Sequence, residues 1–140
     1  MLRSVRTARR RQGTAAVELA VLLPFLVFVF VIGIDYARVF YHGLTIENCA
    51  RNGALYGSQD PTHAADSAGI QAAALADASN LTPSPGVSST TGTDAAGNPY
   101  VKVTVTWTFQ TITHYVGVPS SVNLSRTVQM RVEPVVPKNS

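Results

Sequence analysis

The sequence predicts an α+β fold in which one long N-terminal helix packs against a small antiparallel sheet. An apolar run over residues 15–34 is followed by a proline-free stretch that reaches Tyr56, which predicts a single helix through both. Residues 100–110 and 121–133 each alternate apolar and polar side chains, as strands with one buried face do. A sheet of two to four strands needs a helix on its apolar face, and the second half of the long helix is the obvious candidate.

Composition and charge argue against some classes of binding partner and of bound metal. The chain has 140 residues and a formal net charge of +3, but five of its eleven basic residues lie within the first twelve positions. From Asp35 onward, six basic and seven acidic residues leave a net charge of −1. A basic leader without a basic surface argues against nucleic acid as a partner. The single cysteine excludes an intrachain disulfide framework and a zinc site built from several cysteines.

The apolar run has the length of a membrane span. Its twenty residues contain one charge, Glu18, and as a helix they extend about 30 Å, the thickness of a bilayer core. The arginines on its N-terminal side predict a cytoplasmic N-terminus. A buried core helix is the alternative, but the other hundred or so residues offer too little apolar surface to surround it. The predicted division is therefore a basic leader over 1–13, a transmembrane helix over 14–35 and an extracytoplasmic domain over 36–140.

Three kinds of targeting segment compete for the N-terminal region. An ordinary secretory signal requires a small-x-small cleavage site after its core, and DYARVFYHG is a poor one. A twin-arginine signal requires a hydrophobic residue just behind its arginines, and this chain lacks it. A prepilin-type leader ends in a Gly that is followed by four residues and then a Glu, and it is cut ahead of the apolar core. Gly13 and Glu18 have this spacing, so the predicted cut lies between Gly13 and Thr14.

Glu18 and Pro24 are the two exceptions within the apolar run. A carboxylate in such a segment is costly and suggests a function, although Glu18 is close enough to the end of the run to be an interfacial residue with no special role. Alternatively, a cut after Gly13 creates an ammonium at Thr14 that pairs with Glu18 of a neighbouring subunit and sets the stagger between helices. Pro24 removes one helical hydrogen bond, which membrane helices tolerate when neighbours compensate.

Residues 13–57 combine a glycine, a Val-Glu pair, a proline within the apolar run and a polar-aromatic pair that leads into an Asn/Ala/Arg/Gly/Ala pattern. These are Gly13, Val17-Glu18, Pro24, Asp35-Tyr36, and Asn48, Ala50, Arg51, Gly53 and Ala54. The combination resembles the signature segment of TadE-like proteins, which are minor pilins or pseudopilins of the tight-adherence (Flp-type) pilus system. Leu19 departs from the pattern, since many relatives have an aromatic residue after the Glu.

The resemblance implies a pilin-like fold and a structural role in pilus assembly. It implies processing by a prepilin peptidase, residence in the cytoplasmic membrane, and contacts with other pilin-like subunits, the inner-membrane pilus platform and the lipid bilayer. The alternative from the residues is a single-pass anchored binding module, an adhesin or sensor, that is not cut at Gly13 and gives Glu18 no role.

The rest of the chain predicts the elements of the domain. A small-sided stripe on the first helix should pack closely, and Cys49 on it is expected to be a packed small side chain, with an intermolecular disulfide as the alternative. A second, alanine-rich helix is predicted over 62–79, with Thr62 as its cap. A ragged strand or loop is expected near 86–91 and a turn over 94–99. Arg126 interrupts an apolar strand face, where its stem can lie while its head projects outward.

The sequence shows no catalytic constellation, so we expect no enzyme, no cofactor, no metal and no small-molecule substrate. His42, His63 and His114 share no metal-ligand spacing, and the chain has neither a GxSxG motif nor a Walker loop. Trp107, His114 and Tyr115 can be drawn as a ligand patch, but packing in a core and a loop is the simpler use of these residues.

Overall fold

The computed structural model describes residues 9–112 and 119–134, and within them it has three helices and one three-stranded sheet. The predicted α+β class, with its long helix and small antiparallel sheet, is confirmed. The first eight residues of the predicted leader and most of the loop between the last two strands, 113–118, lie outside the described residues. The elements are, in chain order, α1 Arg9–Gly57, α2 Pro61–Ala65, α3 Ser67–Leu75, β1 Gly86–Thr93, β2 Pro99–Gln110 and β3 Ser121–Arg131.

Helix α1 dominates the molecule. Its 49 residues extend about 74 Å, which is more than twice the thickness of a bilayer core. It continues through Pro24 and ends at Gly57, the predicted stop. The helix therefore has two halves: an apolar half up to Ile34, and a second half that carries the small-sided stripe.

The predicted second helix is in fact two short helices, and the prediction of one helix over 62–79 is wrong. Asp60, and not Thr62, caps α2 by accepting a hydrogen bond from the His63 N–H at 2.8 Å. Asp66 has a non-helical ψ of 81° and caps α3, where its carboxylate accepts from the Gly69 N–H at 2.9 Å. The phenol of Tyr56 donates to the same carboxylate at 2.9 Å, so a side chain of α1 holds the break in place.

The three strands form an antiparallel sheet in the order β1-β2-β3. The predicted alternation on β2 is confirmed: Val101, Val103, Val105 and Phe109 are buried, and Trp107 is half-buried. The first strand extends to Thr93, two residues beyond the expected ragged segment. The turn that follows is closed by the Asp94 carboxylate, which accepts from two backbone N–H groups, and by Gly97 at a φ of 82°.

Helix α1 and strand β2 lie side by side and run in opposite directions. Gly57 packs on Val101, Gly53 on Val103, and His42 on Phe109, so positions rise along the helix as they fall along the strand. The apolar face of the sheet is thereby covered by the second half of α1, as predicted. This packing places the C-terminal end of β2 next to the apolar half of the helix.

Gly53 is a point of close approach between three elements of this core. A Cβ built there would lie 3.1 Å from the Ala74 Cβ, 3.2 Å from the Ile70 carbonyl oxygen and 3.2 Å from a Val103 methyl group. Two of these neighbours belong to α3 and one to β2, so one small residue lets three elements meet. The small-sided stripe predicted from the sequence is this contact surface.

Substitution Gly53→Val should therefore lower the free energy of unfolding by about 1–3 kcal/mol, because the added methyl groups overpack a site with backbone on one side. The measurement is denaturant unfolding of the detergent-solubilised protein, followed by the fluorescence of Trp107, its only tryptophan. Asn48→Val is the matched control, since Asn48 is exposed on the same helix. Equal losses in the two variants would contradict the close packing at Gly53.

Candidate functional site: the apolar helix and its junction with the sheet

The apolar half of α1 is exposed over most of its length. Every position from 13 to 30 is exposed, including Val21 at 73% and Phe30 at 69%. Among the described residues, α1 is the one helix that is both long enough and apolar enough to cross a membrane. Its most apolar stretch is 0% buried. The helix is suited to single-pass anchoring, because lipid or other helices can cover a surface that the sheet does not.

The predicted cut between Gly13 and Thr14 lies inside the helix. Because α1 begins at Arg9, the last residues of the predicted leader continue the helix of the span. Both residues are exposed, and a Cβ built on Gly13 would meet nothing within 4 Å. The bond is therefore open to approach from outside, although it lies in regular helix.

Thr14 and Glu18 lie on one face of α1. They are four positions apart, which places them about one turn, or 6 Å, apart along the axis. Helical side chains lean toward the N-terminus, so the exposed carboxylate of Glu18 leans toward the backbone of Thr14. Pro24 lies on a different face, and its ring nitrogen has no proton for the Ala20 carbonyl.

Asp35 joins the two halves of the molecule. It is 5% exposed, and its Oδ1 accepts hydrogen bonds from the Ile112 N–H at 3.1 Å and from Arg38 Nη1 at 3.3 Å. In the sequence, Asp35 is the first charged residue after the uncharged run over 19–34. Its hydrogen bond to Ile112, 77 positions later in the sequence, was not predicted, because a local sequence pattern does not indicate contacts between residues so far apart.

An aromatic and cationic cluster continues from Asp35 along the helix. The Arg38 guanidinium lies 4.9 Å from the centroid of the Phe109 ring, and the ring of His42 lies 5.0 Å from that of Trp107. The Trp107 indole N–H donates to the Pro83 carbonyl at 2.7 Å. Trp107 is thus used in packing, and the other members of the proposed ligand patch, His114 and Tyr115, lie outside the described residues.

His42 is held in a setting that disfavours its charged form. Burial lowers its pKa below the usual 6.5, and the nearby positive charge of Arg38 lowers it further. Its Nδ1 is buried and has no hydrogen-bond partner within the described ranges. The imidazole therefore acts as a neutral ring against Trp107 and Phe109.

Arg126 lies on the apolar face of the sheet, and its guanidinium group lies beside Gly43 and Glu47 of α1. Its Nη2 would be 3.5 Å from a Cβ on Gly43, and its Nε is 4.0 Å from a Glu47 carboxylate oxygen. Both side chains of this ion pair are nearly half exposed, so solvent screens it and its contribution is about 0–1 kcal/mol. Its place on an edge strand with an exposed head agrees with the prediction.

Two further candidate chemistries have little support in the described residues. Cys49 is a free, fully buried thiol, and burial raises its pKa, so it is a packed side chain as predicted. Among residues 9–112 and 119–134, no group of three or more His, Cys, Asp or Glu side chains is placed to hold a metal ion.

Residues 13–55 match the family model described as TadE-like protein. This segment of the chain is similar to TadE-like proteins. The match begins at Gly13 and ends two residues before the end of α1, so it covers the helix with Glu18, Pro24 and Asp35 and stops short of the sheet. It confirms the resemblance seen in the sequence. Comparison with curated proteins gives no match, and comparison with solved structures gives none either.

The lowered pKa of His42 predicts a pH dependence of stability. Between the folded and unfolded pKa values the unfolded state binds more protons, so the free energy of unfolding should decrease as the pH falls below 6.5. His42→Gln should remove this part of the dependence between about pH 7 and about pH 5. Tyr41→Gln, an exposed neighbour on the same helix, should keep it. Identical profiles for His42→Gln and the unsubstituted protein, in unfolding followed by Trp107 fluorescence, would show that protonation of His42 is not disfavoured by the fold.

Proposed function

We propose that this protein is a TadE-like minor pilin or pseudopilin. In this proposal it is a membrane-anchored structural subunit in the assembly of a tight-adherence (Flp, type IVb-like) pilus or a related secretion apparatus. The observation that carries the proposal is the family match over residues 13–55, since the matched segment is also the helix whose apolar half is uncovered. Proteins of a family associated with the Tad pilus are structural components rather than catalysts, and the role proposed for this chain does not require it to catalyse a reaction.

The uncovered helix supports lateral assembly as well as anchoring. An apolar surface that encircles a helix for about 30 Å must be covered by lipid or by other helices. In the membrane form of the protein, lipid covers it. In an assembled form, the same surface is available to the helices of neighbouring pilin-like subunits, and transfer between these two environments costs little because both are apolar.

The charge distribution supports one orientation. The arginine cluster ahead of the span favours a cytoplasmic N-terminus, and the near-neutral remainder of the chain carries no cluster that would hold it inside. We therefore place the sheet and the second half of α1 on the periplasmic or extracellular side of the inner membrane. The pilus platform is the proposed partner at the membrane, and the prepilin peptidase is the proposed processing enzyme.

The proposed cut creates a positive charge close to Glu18, because Thr14 and Glu18 are one helical turn apart. Hydrolysis of the Gly13–Thr14 peptide bond by water releases a carboxylate on the leader and leaves an ammonium on Thr14. This ammonium lies one turn from Glu18, on the face toward which the carboxylate leans. Before the cut Glu18 is a lone charge in an apolar segment. After the cut it has a counter-charge, either in its own chain or on a neighbouring helix shifted by about one turn.

The stagger, which is the relative height of neighbouring helices, depends on which of these two partners Glu18 pairs with. A pair within one chain satisfies both charges and leaves the helix free to slide. A pair between chains fixes the relative height of two helices, because a shift of one turn separates the two members of that pair. We propose that the pair between chains forms on assembly and that the pair within the chain holds the charges until then.

Processing is the first test. The protein purified from membranes of its own host should begin at Thr14 and should retain the apolar helix, since the proposed cut precedes the span. Intact-mass and N-terminal analysis measure both properties at once. A chain that still carries its leader would favour an anchored binding module. A chain that begins beyond Ile34 would be a secreted domain, and the role given to Glu18 would then be wrong.

Substitution of Glu18 is the second test. Glu18→Ala should abolish or strongly reduce pilus output while the sheet remains folded, because Glu18 is remote from the core and exposed. Glu18→Asp retains the charge and should keep part of the output. Glu47→Ala is the matched control, a second carboxylate of α1 that is partly exposed and lies beyond the span.

Pilus output is scored by electron microscopy of shed filaments, and folding by Trp107 fluorescence of the solubilised protein. Unchanged output in Glu18→Ala would count decisively against the assembly mechanism. Loss of output in Glu47→Ala as well would show that the assay responds to any change on the helix.

A further inference from the structure

Ile112 follows strand β2 by two residues and exposes its side chain where the apolar half of α1 ends, and we propose that this side chain rests on the outer lipid interface of the membrane. We call Ile112 the basal tip. The proposed partner is the headgroup and glycerol region of the bilayer, and the contact fixes the height and tilt of the sheet above it. The inference rests on the membrane span of the proposed function, and it requires neither the cut at Gly13 nor assembly.

The height of the basal tip follows from Asp35. Residues 19–34 carry no charge, and Asp35 is the first ionisable residue after them, so it marks the end of the hydrocarbon region on that side. The Ile112 N–H donates to the Asp35 carboxylate at 3.1 Å. The backbone of Ile112 therefore lies at the level where the span ends, and the domain meets the membrane plane at this point.

The surroundings of Asp35 suit a position at an interface. Its carboxylate is 5% exposed and accepts from Arg38 as well as from Ile112, so the charge is paired and shielded from nearby hydrocarbon. On α1 the first half-buried positions after the exposed span are Val31 and Ile32, which shows that protein begins to cover the helix one turn below Asp35. The domain thus reaches into the layer between hydrocarbon and water.

The side chain of Ile112 completes the argument. It is 59% exposed at this level. Tyr36 follows Asp35 on the helix and is 76% exposed, which is typical of the interfacial aromatic belt. An exposed apolar side chain, at a depth fixed by a hydrogen bond to the residue that ends the span, fits a lipid interface better than open water.

The test uses the full chain in vesicles of phosphatidylcholine and phosphatidylglycerol. Cys49→Ala removes its single cysteine, and one cysteine at a time is then introduced for an environment-sensitive fluorophore: Ile112→Cys at the basal tip, Val21→Cys in the span and Ala95→Cys in the turn between β1 and β2. Ala95 is exposed at the opposite end of the sheet from Ile112. Quenching by lipids with a nitroxide near the headgroup reports contact with the interface.

The expected result is a blue-shifted emission with strong nitroxide quenching at position 112, and neither at position 95. Quenching at 112 no greater than at 95, while the label at 21 reports lipid, would overturn the inference and leave membrane anchoring intact. A label at 21 that reports water would instead overturn the membrane span itself, and with it the support for both proposals. A blue-shifted emission at 112 that appears only at high protein density, and without nitroxide quenching, would assign the surface to a neighbouring subunit and overturn the lipid contact.

A second pair of variants tests the role of Asp35 in setting the height. In the Ile112→Cys background, Asp35→Ala should reduce the quenching at position 112, because the backbone N–H of residue 112 loses its acceptor. Asp35→Asn keeps an oxygen acceptor and should retain most of the quenching. Trp107 fluorescence identifies variants that have unfolded. Equal quenching in folded Asp35→Ala and unsubstituted protein would show that Asp35 does not set the height of the tip.

Discussion

The uncovered apolar surface of helix α1 is the constraint to which the rest of the structure responds. The first half of the helix is apolar on every side, and burying it within the chain would require a second layer of structure that about a hundred further residues do not supply. The second half has the opposite character, with small residues such as Gly53 on the side that meets other elements. One helix therefore carries two surfaces, one for lipid or other helices and one for its own sheet.

The sheet is matched in length to the half of the helix that it covers. From Asp35 to Gly57 the helix rises about 33 Å, at 1.5 Å per residue. From Val101 to Gln110 the opposing strand extends about 30 Å, at 3.3–3.4 Å per residue. Because the two lengths nearly agree, one strand spans most of the covered half, and Ile112, two residues beyond its end, reaches the point where the apolar half begins. The hydrogen bond between Ile112 and Asp35 is a consequence of this match.

Local patterns in the sequence predicted most of the fold and the part of the site that lies in the span. The alternation in β2 fixes which side chains are buried, and a lone carboxylate such as Glu18 stands out in an apolar run. The break at Asp66 was not predicted, because an alanine-rich segment favours helix and the decisive phenol of Tyr56 comes from another element. The Asp35–Ile112 contact was not predicted for the same reason: its partners meet only after the helix and strand have packed.

The position of Asp35 explains how two such different halves can share one continuous helix. A charge placed at the end of an apolar span stops the helix from sliding deeper into lipid, but an isolated carboxylate there would lose hydration when lipid or a neighbouring subunit approaches. The bonds from Arg38 and from the Ile112 N–H replace that hydration with fixed donors. The same hydrogen bonds connect the chain at the end of β2 to the helix at this level. A force that acts along the span therefore also acts on the end of β2. In a subunit whose helix is drawn from lipid into an assembly, this connection would make the sheet move with the helix as one body.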